Sequence, residues 1–153
     1  TPVSGRLLVF IARGTGAKRV SINEWRPDAT WVAARTVHDL EPGARIEIDT
    51  DHRAFPKPFS DLHAGTYQVQ AVLDVNHTYN YSGLTAGDLI SSVLTLKDWT
   101  PGQGAEPRLS LDEVVPARAP RKLSPRDQQA ATHLRLAKHQ SAVLTDFWGR
   151  PVF

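Results

Sequence analysis

The central segment Thr66-Tyr-Gln-Val-Gln-Ala-Val-Leu-Asp-Val75 alternates between two sets of side chains. Successive side chains of a β-strand point to opposite faces of the sheet, so every second residue shares a face. Tyr67, Val69, Ala71 and Leu73 therefore lie on one side, and the glutamines between them lie on the other. This period of two predicts a strand whose tyrosine-bearing face packs in the core.

A glycine turn precedes this strand, in Leu62-His-Ala-Gly65, and Tyr67 follows it directly. Sandwiches of the immunoglobulin and fibronectin type place a tyrosine at such a corner, with its hydroxyl bonded to nearby backbone. The alternative is a tyrosine that only packs on the core face of the strand. Both arrangements favour a β-sandwich.

Short apolar or alternating segments continue on both sides of the central strand, and turns rich in proline and glycine separate them. Helical periodicity is nearly absent from the first hundred residues. The pattern predicts an all-β fold, an antiparallel immunoglobulin- or fibronectin-like β-sandwich with a C-terminal linker extension. The further strands are expected at residues 6–13, 31–37, 44–49, 89–97 and 108–115, and a hairpin turn is expected at 13–18.

Composition limits the classes of protein that the chain can belong to. The 153 residues are 41% hydrophobic and 22% charged, which suits one globular domain and excludes a disordered or collagen-like chain. Cysteine is absent, so disulfides, thiolate nucleophiles and cysteine-ligated zinc are excluded. No apolar run approaches the ~20 residues of a membrane span. Methionine is also absent and Thr1 comes first, so we expect a processed or cut chain.

Residues 116–125 carry three prolines, and basic residues cluster in this late part of the chain. The sequence therefore predicts a sandwich domain over residues 1–116 and a basic, proline-rich linker and junction over 117–153. The bases stand among proline and alanine, a pattern that favours a solvated linker over a nucleic-acid-binding face.

Two elements are expected in the linker. Ser124 and Pro125 can begin a helix, whereas the alternation of Leu134 and Leu136 favours a strand over 132–138. Residues 141–148 predict one or two helical turns that end at Gly149.

Catalytic and metal-binding motifs do not emerge. There is no Gly-x-Ser-x-Gly elbow, no framed triad and no paired histidine motif. The oxygen-bearing residues Asp74-x-Asn76-x-Thr78-x-Asn80 have the spacing of a calcium loop. They lack its glycine at position six and its acid at position twelve, so a loop at a strand end is the better interpretation. No catalytic residue, metal ligand or cofactor is predicted.

The segment after the central strand carries the candidate binding residues His77, Tyr79 and Tyr81. Aromatic and amide side chains at a loop tip can stack on and hydrogen-bond a sugar or planar ligand. The alternative is that these tyrosines pack across a domain interface. Trp148 is a further candidate for such an interface.

Three segments together resemble a known family: Ser4-Gly-Arg-Leu-Leu-Val-Phe10, Gly65-Thr-Tyr-Gln-Val-Gln-Ala-Val-Leu-Asp-Val-Asn76 and Ser141-Ala-Val-Leu-Thr-Asp-Phe-Trp-Gly-Arg-Pro151. Their order resembles the N-terminal region of bacterial esterases related to enterochelin esterase and esterase D. The resemblance implies an immunoglobulin-like module that precedes an α/β-hydrolase domain in a secreted or periplasmic carboxylic ester hydrolase. The family's catalytic residues would follow Phe153, so none is assigned here.

The expected function follows from the resemblance. The chain would be a non-catalytic module that packs on an intramolecular α/β-hydrolase domain and shapes its cleft. His77, Tyr79, Tyr81 and Trp148 would face that domain or an ester substrate. The alternative is an autonomous carbohydrate-binding or adhesion module that uses the Tyr79/Tyr81 loop.

Overall fold

The computed structural model describes residues 1–23, 25–79, 83–119, 124–131, 137, 139–149 and 151–152. Within these ranges the fold is mostly strand, and the predicted all-β, antiparallel, sandwich-like architecture is confirmed. The strands are β1 (Val3–Arg13), β2 (Thr30–Leu40), β3 (Ala54–Phe55), β4 (Gly65–Asp74), β5 (Leu89–Ser91), β6 (Leu94–Trp99) and β7 (Leu111–Val114). Single 3-10 turns occupy Pro27–Ala29 and Phe59–Asp61, and the helices are α1 (Pro125–Ala131) and α2 (Ala142–Trp148).

Hydrogen bonds join the strands into one sheet in the order β3-β2-β1-β4-β5-β7. Strand β6 pairs with the first half of β4, and β5 pairs with the end of β4. Strand β1 lies inside the sheet, and its five residues from Leu7 to Ile11 are all buried. Both faces of the sheet are therefore covered, which explains why β1 is continuously apolar rather than alternating.

Each face of the sheet carries its own apolar cluster. On the first face, Leu7, Val9 and Ile11 pack with the alternating residues of β4 that include Val69 and Leu73. On the second face, the cluster consists of Leu8, Phe10, Val20, Val72 and Ile90. The connection between β1 and β2 crosses this second face, where the amide of Val20 donates to Oε1 of Gln70 over 2.9 Å. The antiparallel neighbours β1 and β2 are thus joined by a long connection over residues 14–29, and not by the hairpin turn expected at 13–18.

The predicted tyrosine corner is confirmed. The hydroxyl of Tyr67 donates to the carbonyl oxygen of His63 over 2.6 Å. The Tyr67 ring meets the Trp99 ring edge-on at a centroid distance of 5.8 Å. The guanidinium carbon of Arg13 lies 5.6 Å from the centroid of the same tyrosine ring.

Two strand predictions need correction. Residues 44–49 are irregular, although Ile46 and Ile48 still pack against the core. Their alternation marks which side chains are buried, but the neighbour of β2 at the sheet edge is β3, so no strand pairing forms there. The predicted strand at 89–97 is divided into β5 and β6, which pair with opposite ends of β4.

The chain divides into two compact units, Thr1–Arg118 and Ala119–Phe153. In the second unit, Ser124 precedes α1 and its hydroxyl accepts from the Asp127 amide over 3.2 Å, as the helix alternative predicts. Helix α2 confirms the predicted turns at 141–148: Ser141 caps its first turn and Gly149 ends it in a left-handed conformation. The predicted strand at 132–138 lies, apart from residue 137, outside the described residues. No helix of the described ranges is long and apolar enough to cross a bilayer.

Candidate functional site

The loop after β4 is held at its first turn by Asp74, whose side chain is only 2% exposed. Its Oδ1 accepts from the amide of Thr78 over 3.0 Å, and its Oδ2 accepts from the amide of Tyr79 over 3.1 Å. A carboxylate that accepts two amides fixes a tight turn, and His77 within that turn has a left-handed φ of 56°. The position of Tyr79 is therefore set by a buried side chain.

Asp88 holds the other end of the same loop and is fully buried. Its Oδ1 accepts from the amide of Val75 over 3.1 Å, while its Oδ2 accepts from the amide of Thr85 over 2.7 Å. The Thr85 hydroxyl donates to the same Oδ2 over 3.2 Å. Of the residues with calcium-like spacing, Asp74 uses both carboxylate oxygens, and Thr78 its hydroxyl, for hydrogen bonds within the loop. Within the described chain, no group of three acidic or histidine side chains could hold a metal ion.

Tyr79 turns inward from this loop and packs on Phe10 of β1, with ring centroids 5.2 Å apart. Burial raises the pKa of the Tyr79 hydroxyl above its ordinary value of 10.0. Asp74 and Asp88 raise that pKa further, while Arg19 acts against them. The phenol therefore stays neutral at physiological pH, and its ring forms a wall rather than an ionic group.

A cavity of about 150 Å³ opens beside the Tyr79 ring on the second face of the sheet. Its floor consists of cross-strand neighbours, Leu8 opposite Ala34 and Phe10 opposite Val32. Ile22, Ala54 and Phe55 form its apolar walls together with Tyr79, and Arg6 and Arg53 complete the lining. We call these ten residues the Tyr79 groove.

Both arginines of the Tyr79 groove are exposed, and neither has a carboxylate partner among the described residues. Arg6 lies opposite Asp74 in the strand register, but the Asp74 oxygens are bonded to loop amides. The groove thus combines an apolar floor with two cations that have no carboxylate partner in the described part of the chain. An apolar cavity of this size accommodates about one benzene-sized ring, and the cations favour a negative charge beside it.

The described residues that line the Tyr79 groove include no serine, histidine or carboxylate. Its described polar groups are the guanidinium groups of Arg6 and Arg53 and the hydroxyl of Tyr79.

The predicted site residues that the structure describes lie at three different positions. Tyr79 lines the groove, and His77 is exposed on the turn that precedes it. Trp148 is exposed on α2 in the second unit, where its ring meets that of Phe147 edge-on at 5.1 Å. Tyr81 lies outside the described residues.

Sequence reasoning did not identify Arg6, Arg53 or Phe55 as groove residues. A signal existed for Arg6, because it shares the alternating face of β1 with Leu8 and Phe10. Arg53 and Phe55 reach the groove only through the pairing of β3 with β2, which the local sequence does not specify. Comparison with known proteins finds no matching family model, no matching curated protein and no matching solved structure.

Proposed function

We propose that this chain is a non-catalytic, sandwich-like module of a larger bacterial serine esterase, secreted or periplasmic. The module packs on an α/β-hydrolase domain and shapes the cleft in which an ester substrate binds. The resemblance of three segments to the esterase family suggests the class. The observation that carries the proposal is the exposed apolar stripe of α2.

Four large apolar side chains form this stripe: Val143, Leu144, Phe147 and Trp148. Residues four apart share a helix face, so Val143 lies beside Phe147 and Leu144 lies beside Trp148. Val143 is 79% exposed and Phe147 is 76% exposed. A contiguous exposed apolar patch marks an interaction surface, and buried aromatic residues supply much of the energy of protein interfaces.

The capping of α2 favours a preformed docking surface. The Ser141 hydroxyl accepts from the amide of Leu144 over 3.3 Å, and Gly149 ends the helix. A helix as short as Ala142–Trp148 is marginal by itself, so burial of the stripe against a partner domain would stabilise it.

The Tyr79 groove supports a binding role for the first unit. Arg6 and Arg53 can pair with a carboxylate, and the floor around Phe10 can hold an apolar group. The groove is suited to hold part of a substrate or a side chain of the partner domain, while the hydrolase domain supplies the nucleophile.

The reading frame that encodes the chain tests the proposal. We expect it to continue into a Gly-x-Ser-x-Gly motif beyond Phe153. In that longer protein, Phe147→Ser and Trp148→Ser should lower kcat/KM for p-nitrophenyl esters. Trp25→Ser, at a side chain that is 91% exposed, is the matched control and should leave it unchanged. A reading frame without this motif, or turnover that is insensitive to the stripe, would contradict the proposal.

A glycan array tests the alternative role of the Tyr79/Tyr81 loop. The esterase-module proposal predicts no glycan binding by the purified chain. Binding that is lost in both Tyr79→Ala and Tyr81→Ala would instead favour an autonomous carbohydrate-binding module.

A further inference from the structure

Strand β2 extends beyond its neighbour at the outer side of the sheet. It runs from Thr30 to Leu40, whereas β3 pairs only with Val32 and Ala33. One further bond joins the amide of Ala34 to the carbonyl oxygen of Arg53 over 3.3 Å. From Thr36 onward, no described residue pairs with this side of β2.

The backbone groups of this free segment point away from the sheet. Alternate residues of a strand direct their amide and carbonyl groups to the same side. Because the Ala34 amide points outward, those of Thr36 and His38 point outward as well. The segment ends at Asp39, whose φ is 48° and whose amide donates to the Ser4 hydroxyl over 2.9 Å. We call residues 36–38 the β2 outer edge.

Open space lies beside the beginning of the β2 outer edge, at Thr36. A cavity of about 380 Å³ is lined on one side by Ala34, Arg35 and Thr36. Its other side consists of residues from the segment that leads into β3: Ile48, Asp49, His52 and Arg53. Proteins usually cover a free strand edge or block it with proline or a bulge. Here the bulge at Asp39 ends the edge, but nothing among the described residues fills the space before it.

The described lining of this cavity carries two arginines, Arg35 and Arg53, and one acid, Asp49. Arg35 donates to the carbonyl oxygen of Glu47, and neither Arg35 nor Arg53 pairs with a described carboxylate. Among the described residues of the lining, the acid is Asp49, whose Oδ1 accepts from the amides of Asp51 and His52. The guanidinium groups of Arg35 and Arg53, neither of which pairs with a described carboxylate, complement a negatively charged segment beside the open edge.

We propose that the β2 outer edge binds an extended, acidic peptide segment of a partner protein as an added strand. The backbone of the segment bonds to the outward groups of Thr36 and His38. Its side chains on one face reach Arg35 and Ile48, and those on the other face reach Arg53 at the border of the Tyr79 groove. Main-chain bonds supply affinity in this mode of recognition, and the alternating side chains supply selectivity.

Titration of the full chain with the peptide acetyl-Thr-Glu-Val-Glu-Val-Glu-Thr-amide tests the proposal by nuclear magnetic resonance. The amide signals of Thr36 and His38 should shift most. Hydrogen exchange at the Thr36 amide should slow by about tenfold when the edge is occupied. No shift at millimolar peptide, or larger shifts along β6 or β7, would overturn the proposal.

Peptide controls leave the protein unchanged, so a folding defect cannot confuse the result. A peptide methylated on alternate backbone nitrogens should not bind, because it cannot donate to the edge. A peptide with lysine in place of glutamate should bind more weakly, and equal binding would overturn the acidic preference. Shifts at Thr36 that depend on protein concentration without peptide would instead identify a second copy as the occupant.

A charge-reversal pair completes the test. Arg35→Glu should weaken peptide binding by about fivefold, the upper range for one exposed ion pair. Arg45→Glu is the matched control, because Arg45 is exposed but does not line the cavity, and binding should be unchanged. Equal effects of the two substitutions would show that only overall charge matters and would overturn the site.

Discussion

The hydroxyl of Tyr67 bonds to the carbonyl oxygen of His63, four residues earlier, and so fixes the corner at which the chain enters β4. Strand β4 pairs with three other strands, so the geometry of this corner determines where a large part of the sheet begins. The same ring packs against Trp99 of β6, which couples the corner to a second strand.

Removal of this hydroxyl should therefore destabilise the fold. We expect Tyr67→Phe to lower the free energy of unfolding by about 1 kcal/mol, the usual net value of one hydrogen bond. Urea unfolding measures the change. Tyr79→Phe is the matched control, because no described residue bonds to the Tyr79 hydroxyl, and it should cost less. An equal loss of unfolding free energy in the two variants at neutral pH would argue against the hydrogen bond from Tyr67 to His63.

The buried carboxylate of Asp88 should stabilise the fold, because it accepts two backbone amides. In Asp88→Asn, one side-chain oxygen becomes an amide, so either Val75 or Thr85 loses the acceptor of its backbone amide. We expect a loss of about 2 kcal/mol in the free energy of unfolding, because the unpaired amide stays buried. Denaturant unfolding and faster hydrogen exchange in the loop would report it. Asp112→Asn, on the exposed side of β7, should change stability little, and an equal loss there would contradict the role of Asp88.

The raised pKa of Tyr79 gives stability a dependence on alkaline pH. A raised pKa means that the folded state holds the phenolic proton more tightly than the unfolded state does. The contribution is complete below the unfolded pKa near 10.0 and is lost as pH rises through the folded pKa. Unfolding measured across this range should show a decline in stability that is smaller in Tyr79→Phe. An identical decline in both proteins would contradict the burial of this hydroxyl.

Gly5 should tolerate no side chain. A Cβ there would lie 2.7 Å from the carbonyl oxygen of Asp74 and 3.1 Å from Cα of Val75, both backbone atoms that cannot move freely. We expect Gly5→Ala to cost about 2 kcal/mol, within the range for overpacking. At Gly65 the nearest atom is Nη2 of Arg13, 3.2 Å away at the end of a flexible side chain. Gly65→Ala should thus lower the melting temperature less, and the opposite order would contradict the register at Gly5.

Strands β1 and β4 were predictable from the pattern of apolar residues in the sequence. The sequence of β4 alternates, although its residues from Tyr67 to Asp74 are all buried, and β1 is continuously apolar because both of its faces are covered. Residues 44–49 alternate equally well but pair with no strand, since hydrophobic alternation reports burial and not hydrogen bonding. Pairings between distant segments, such as β3 with β2, have no local signal.

Only the loop after β4 was predictable as part of the candidate site. The aromatic residues after β4 drew attention to Tyr79, but its packing on Phe10 depends on the turn that Asp74 caps. Arg53 and Phe55 join the groove through long-range strand pairing. The calcium-like spacing is explained by the same turn, because the Asp74 oxygens accept backbone amides.

Turnover of p-nitrophenyl acetate by the purified 153-residue chain tests the non-catalytic role most directly. The assay compares the chain with buffer alone, before and after treatment with a serine-directed covalent inhibitor. We predict no hydrolysis above the buffer rate and no effect of the inhibitor. Hydrolysis by the chain that the inhibitor abolishes would contradict the account, because it would place a reactive serine within these residues.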